Sequence, residues 1–466
     1  MPTLKVVDIT PAALSGNRTQ DSEPSLAVNP ERPNEMVATA LTPDPMGGPL
    51  APVFVSTDGG NSWVMRSIVP GGTPDLGTGD ISVGFATKGG VVYAGILNGA
   101  AAVQSITRLQ ILRSPDVSSM APMEVLVSRD EVDQPWVVAG SIQAGGTARD
   151  RVYVTNNDLG RGPQSAAVDL SADGRAATPT TGFREDTLEQ RPTAGQDGPP
   201  VRLALHPGGT AYAAYESWQR ARDLGGGIVD VVFDVVVTRD DGGGIGPNAF
   251  QNLKDATDSA IGQRVATEVS ERFSAMMGQE RLGGDLSIAV DPTNAGHVVV
   301  AWCDRVGHQP GCTLHVRHST DHGQTWSDDL RTVTDAKNPA LAVTSDAVLG
   351  LAYQQFTQGQ WVTALEVTHN AWQTAVQPLV LHRARADVPV AEFLPYLGDY
   401  MRLLAVDRDL YGVFSGNNTP DMSHFPDADD VVFQRHADFA HHQLLDLDNA
   451  TRVPPSIDPF FYHWAA

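Results

Sequence analysis

The stretch STDHGQTW, Ser319 to Trp326, fits the pattern S-x-D-x-G-x-T-W at every fixed position, and a near copy, STDGGNSW, runs from Ser56 to Trp63. The order of residues is that of a turn. Asp58 and Asp321 stand where a short carboxylate accepts backbone N–H groups across a tight turn. Gly60 and Gly323 fit where the chain needs a positive φ, and Trp63 and Trp326 are placed to pin the turn to a sheet below. Each motif therefore reads as the clasp of a β-hairpin. Such a clasp speaks to architecture and says little about chemistry.

Working outward, a second phrase recurs. SEPSLAVNP (Ser22 to Pro30) returns as GDLSIAVDP (Gly284 to Pro292), with weaker relatives beginning at Gly79, Asp133, Pro199, Asn338 and Gly398. Each is a short apolar run led by an acidic or turn residue. Most are followed by a second run such as MVATAL, VVYAGIL or HVVVAW, and runs rich in Val, Ile and Tyr between turn residues read as strands. Degenerate clasps fall at Ser114 to Met120, Ser171 to Ala177, Thr238 to Ile245 and Thr368 to Ala375, with a decayed one at His436 to His442. Acid-led strand, apolar strand, third strand, clasp and fourth strand make the four-stranded antiparallel blade of a β-propeller. Counting leads at Glu23, Asp80, Asp133, Asp197, Asp285, Asn338 and Asp399 gives seven blades, with six as the alternative, in one all-β domain over residues 1–466. LKVVDI, Leu4 to Ile9, is placed to pair with the last blade and close the ring.

Two stretches break the rhythm. Residues 219–284 contain an insertion between blades 4 and 5, where Ile261, Val265, Val269 and Phe273 recur every four residues. That spacing, with Glu268 four residues before Arg272, predicts one amphipathic helix. The insertion is either a rim for a binding site or a surface excursion. The acidic loop 419–430 in the last blade brings Asp421, Asp427, Asp429 and Asp430 together as weak Ca²⁺ candidates, but without the ordered alternation of a calcium loop.

Composition narrows the function classes. Hydrophobic content of 41% with 19% charged residues describes a folded chain, and 45 glycines with 32 prolines suit many short strands and turns. The net charge of −23 opposes polyanions, so nucleic acid and anionic membrane surfaces are poor partners, and no apolar run is long enough to insert into a membrane. MPTLKVVDIT lacks the layout of a signal peptide, so the protein stays in the cell or a signal has been removed. Cys303 and Cys312 flank a short loop and are either a hairpin disulfide or two inert thiols. No G-x-S-x-G, phosphate-binding glycine loop, H-E-x-x-H or paired C-x-x-C is present, and the late histidines His436, His441 and His442 read as edge and loop residues.

The positive candidates come from propeller geometry. Leading ends of the inner strands face one shared pocket, and here they carry Glu23, Asp80, Asp133, Asp285 and Asp399, a ring of carboxylates. Close carboxylates raise one another's pKa, as glycosidases use them; the plainer role is to cap strands by accepting backbone N–H groups.

With its two full clasps and repeating blades, the chain resembles the sialidase-like β-propellers, whose Asp-box (BNR) repeats have this pattern. The resemblance implies a tyrosine nucleophile helped by a glutamate, an aspartic acid as proton donor, and arginines that grip a sugar carboxylate. Carried over, it puts Tyr400 of GDYMRL as nucleophile, Glu280 as its partner and Asp80 as the acid, with Arg18, Arg281 and Arg402 as substrate-binding groups. The early chain reads GNRTQDSEPS where that family opens on an arginine-isoleucine-proline motif. The resemblance thus implies an exo-acting glycoside hydrolase on a carbohydrate or glycoconjugate, with no required cofactor. The alternatives are a glycan- or protein-binding propeller, with Trp136, Trp218 and Trp361 as platforms, and a scaffold docking partners through its disc.

Overall fold

The computed structural model describes residues 2–11, 20–41, 52–67, 80–99, 107–119, 121–144, 146–195, 201–226, 228–247, 249–274, 286–305, 311–390 and 397–466. Among them are seven sheets of four or five strands, one small three-stranded sheet, and no α-helix. Six of the sheets follow chain order from inner to outer strand, as in Ser22–Val28, Met36–Leu41, Pro52–Ser56 and Val64–Ser67 of the first. Neighbouring strands of these six sheets pair antiparallel throughout.

The ring closes through its core. Inner strands of successive sheets touch in chain order, and the inner strand of the seventh sheet (Arg402–Val406) touches that of the first. Apolar side chains fill every gap. Val37 and Ala94 meet between the first two sheets, Tyr212 and Val300 between the fourth and fifth, and Val413 and Leu26 between the last and the first. A strand that buries both faces in this way reads as a near-continuous apolar run, which is what MVATAL and HVVVAW are. The protein is thus an all-β propeller.

The last sheet carries the closure. Thr3–Asp8 pairs antiparallel with the C-terminal strand Ile457–Ala465, Leu4 opposite Trp464 and Val6 opposite Tyr462. On its far side lies a fifth strand, Asp430–Phe433, parallel to the first. Joining the two chain ends in one sheet ties both to the fold, and the sequence reading of LKVVDI holds.

The helix expected between residues 261 and 273 is not formed. Gln263–Ser274 is the fourth strand of the fourth sheet, paired with Ile228–Asp240. A spacing of four is also twice the strand period, so the pattern suits both structures, and β-branched residues decide for the strand. Glu268 does not pair with Arg272. It meets Arg220 across the intervening strand Ile228–Asp240 (Nη2–Oε2 2.5 Å), and Arg272 meets Asp230 on that strand (2.5 Å). Residues 219–225, 228–240 and 263–274 thereby lengthen the fourth sheet.

At the turn of Ser56 to Trp63, Asp58 Oδ1 accepts the amides of Asn61 and Ser62, Ser56 Oγ accepts that of Gly60, and the indole of Trp63 donates to Gly60 O. Asp321 likewise accepts the amide and hydroxyl of Thr325. Thr368 to Ala375 repeats the geometry with Asn370 in the acid's place, and Ala371 and Trp372 adopt positive φ without glycine.

Candidate active site at the leading ends of the inner strands

Three inner strands begin in the same irregular way. Glu23, Gln134 and Asn338 each precede a proline, each has a positive φ (57°, 52° and 51°), and at each the register with the second strand slips. A residue before proline avoids helical conformations, so a left-handed one there stores strain. SEP, DQP and KNP are the sequence signal of this device, and it turns Glu23, Gln134 and Asn338 into the interior, where all three are buried. Asn338 Nδ2 then donates to Gln354 Oε1 and to Gly398 O, holding the segment that enters the seventh inner strand. Position 398 needs glycine, because φ there is 89° and a Cβ would stand 2.6 Å from Glu23 N.

Around that crossing, the charges of carboxylates from three sheets act on one tyrosine. Tyr400 is 2% exposed. Its phenol is pushed well above the usual tyrosine range by burial, then by the charges of Asp80 and Glu23, with Asp399 adding to them and Arg202 opposing. Glu23 Oε1 accepts the Asp399 amide at 3.3 Å. Beneath them, the Arg202 guanidinium lies 3.8 Å from the ring centre of Trp136 and 5.0 Å from that of Tyr400. The two rings meet edge to face at 5.8 Å. Arg402 lies 4.3 Å over Trp136, and it donates to Ser25 Oγ and to Val137 O. Burial and the charge of Arg202 bring Arg402 down to about 9.

The expected residues divide accordingly. Glu23, Asp80, Asp399 and Tyr400 come together as one group, while Asp133, half-buried, accepts the amide of its own neighbour Gln134 in the capping role. Arg18, Glu280, Arg281 and Asp285 lie outside the described residues. Arg402 packs on the same Trp136 ring as Tyr400, bonded to neutral groups and lining the central channel. Arg202 was missed. It stands in PPVRLALHP, a recognised inner strand, but nothing in an isolated arginine marks it as central.

Neither Trp136 nor Trp361 is an open platform: two guanidinium groups cover the first, and Lys337 Nζ lies 5.1 Å from the second. Trp218 is packed against the core between the fourth and fifth sheets. A second buried set lies on other sheets, where Arg305 Nε meets Glu271 Oε1 at 2.6 Å. Burial outweighs the nearby Arg305 and Lys337 charges and lifts Glu271 to about 7, while burial lowers Lys337 to about 8.

The remaining candidates are structural. Asp427 Oδ2 accepts the Val380 amide, Asp429 Oδ2 accepts that of Leu4, and Asp421 caps a short 3₁₀ turn, so the acidic loop staples two sheets together. Among the described residues, no group of three or more His, Cys, Asp or Glu side chains is set to hold a metal ion. Cys303 and Cys312 are separate buried thiols in the core between the fifth and sixth sheets. No helix among the described residues is long and apolar enough to cross a membrane.

No family model matches this chain. No curated protein matches it either. Solved structures similar to it include an α-L-arabinofuranosidase of Fusarium graminearum in complex with arabinobiose (13% identity, TM-score 0.45, covering 78% of this chain and 97% of the other). An α-L-arabinanase of Penicillium chrysogenum, complexed with arabinobiose, is 11% identical with a TM-score of 0.43 and covers 98% of each chain. A Hadza microbial sialidase is 13% identical with a TM-score of 0.37, covering 85% of this chain and 63% of the other. At these values the likeness is too slight to bear on the chemistry.

Proposed function

We propose that the protein is a carbohydrate-active enzyme, an exo-acting glycoside hydrolase working where Tyr400 meets Glu23, Asp80 and Asp399. The observation that carries this reading is the convergence of carboxylates from the first, second and seventh sheets on one buried tyrosine, with Arg202 beneath it. A phenol raised so far is a neutral hydroxyl at neutral pH, and it attacks only when a base takes its proton. Glu23, whose charge acts on the phenol, is that base in this reading; Glu280 remains the partner implied by resemblance. Tyr400 Oη then bonds to the anomeric carbon as the glycosidic C–O bond breaks, and Asp80 protonates the departing oxygen. Asp80, now a carboxylate, takes a proton from water, whose oxygen bonds to the anomeric carbon as the bond to Tyr400 Oη breaks; the phenolate takes back the proton held by Glu23, and the sugar is freed. Arg202 stabilises the negative charge gathered on this cluster. Arg18 and Arg281 are the groups proposed for an anionic substituent. The chemistry requires no cofactor, so Ca²⁺ and a chelator should leave turnover unchanged. Among the described residues the only large exposed aromatic is Phe356, which favours catalysis over repeated sugar stacking.

The test is turnover of a panel of fluorogenic glycosides, sialosides included, by wild type and Tyr400→Phe, read beside a glycan array. Hydrolysis that falls about a thousandfold in Tyr400→Phe supports the enzyme. Binding without turnover makes this a glycan-binding propeller, and silence in both points to a protein partner on the disc.

A further inference from the structure

A cavity of about 390 Å³ lies within the ring. Its wall runs along the inner strands from Pro207, Pro292, Ser345 and Asp407 at their trailing ends to Trp136, Arg202 and Arg402. Along that line exposure falls, from Ser345 and Asp407, which are exposed, through half-buried Leu205 and Ala405, to the buried arginines. The channel therefore opens on the face opposite Tyr400 and is closed inside by the two guanidinium groups and the indole. Neither Tyr400 nor the carboxylates around it belong to the wall.

One cation of the inner end lacks a carboxylate partner: among the described residues Arg402 bonds only to neutral acceptors, Ser25 Oγ and Val137 O, and the Arg202 charge opposes its own while Tyr400 favours it. A buried cation without a counter-charge is costly, and a guanidinium fork matches a carboxylate in two parallel hydrogen bonds. Between mouth and end the side chains are apolar, among them Leu205, Val290, Val343 and Ala405. The volume falls in the usual range for a small-molecule pocket, roughly 300–1,000 Å³.

We propose that the central channel is a second binding site, entered from the face opposite Tyr400, for an amphipathic monocarboxylate whose anionic end rests against Arg402. The carbon chain lies along the apolar wall toward the mouth. There Asp407 repels a second anionic end, so the site selects monocarboxylates over dicarboxylates of equal length. The wall shares Arg202 with the proposed glycosidase cluster but none of Tyr400, Glu23, Asp80 and Asp399, so the two sites can be tested separately.

Calorimetric titration of the purified chain with octanoate, octanol and octanedioate tests this, octanedioate being expected to bind more weakly than octanoate. Octanoate should bind saturably at one site, roughly ten- to hundredfold tighter than octanol, as expected for a charged hydrogen-bonded pair. Ser345→Trp at the exposed mouth and Ala405→Trp within should abolish binding, while Tyr400→Phe should leave it unchanged. The proposal fails if no linear carboxylate from hexanoate to dodecanoate binds, or if octanol and octanoate bind alike. It also fails if both blocking variants still bind, or if Tyr400→Phe removes binding. Loss of turnover without loss of octanoate binding separates the two sites.

Discussion

The clasps at the rim and the group at the centre use the same residue types to opposite ends. Asp321 draws its partners from Ser319, Gln324 and Thr325, all within four residues. Although burial opposes it, these hydrogen bonds hold its carboxyl at about 2. Tyr400 draws its neighbours from positions 23, 80, 202 and 399, brought together by three sheets besides its own, and its phenol is driven the other way. A local network satisfies a carboxylate and leaves it inert. A network assembled across the ring crowds like charges around an ionisable group, which is the arrangement associated with chemistry.

The largest effects should separate centre from rim by activity. Asp80→Asn and Glu23→Gln should each lower turnover by about 10²–10⁴-fold, whereas Asp321→Asn should leave it within about twofold. Equal losses in all three, by steady-state rates on the same substrate, would erase the distinction.

Next comes Gly398, where φ is 89° and a Cβ would meet the Glu23 backbone. Gly398→Ala should cost about 2–4 kcal/mol in urea unfolding and also reduce turnover, because the neighbour it displaces is Glu23. At the rim the comparison sharpens between the two clasps. A Cβ on Gly60 would press into the Phe461 ring at 2.3 Å, while on Gly323 it would stand 3.1 Å from Leu253. Gly60→Ala should therefore cost about 2–3 kcal/mol and Gly323→Ala about 1–2 kcal/mol, with turnover unchanged in both.

The smallest effect concerns acid. Asp321 is lowered from 3.8 to about 2 in the folded chain, so its contribution is complete above 3.8 and is lost as pH falls toward 2. The stability gap between wild type and Asp321→Asn should close over that window; a gap that persists at pH 2 would mean the carboxylate is not what the clasp uses.

Much of the rim was legible and little of the centre. The clasp motifs, the acid-led strands and the closing strand at Leu4 to Ile9 were readable, because turn chemistry and strand alternation depend on residues a few positions apart. The stretch from Ile261 to Phe273 misled because its repeat of four is shared by a helix and a strand. Arg202 was invisible for a different reason: one arginine in an apolar strand acquires meaning only when Tyr400, Trp136 and Arg402 close around it. The prolines after Glu23, Gln134 and Asn338 were in plain view, yet their consequence, three left-handed residues turned inward, depends on bulges that neighbouring strands impose.

By itself, then, the sequence determined the repeated four-stranded unit and the turns that fasten it, since both follow from local dihedral preference and period-two burial. Tertiary structure alone decided which carboxylates surround Tyr400, which arginines close the channel, and that the lengthened fourth sheet would be strand throughout. Those outcomes depend on charge, burial and register between segments hundreds of residues apart, and closing the ring is what brings such segments into reach.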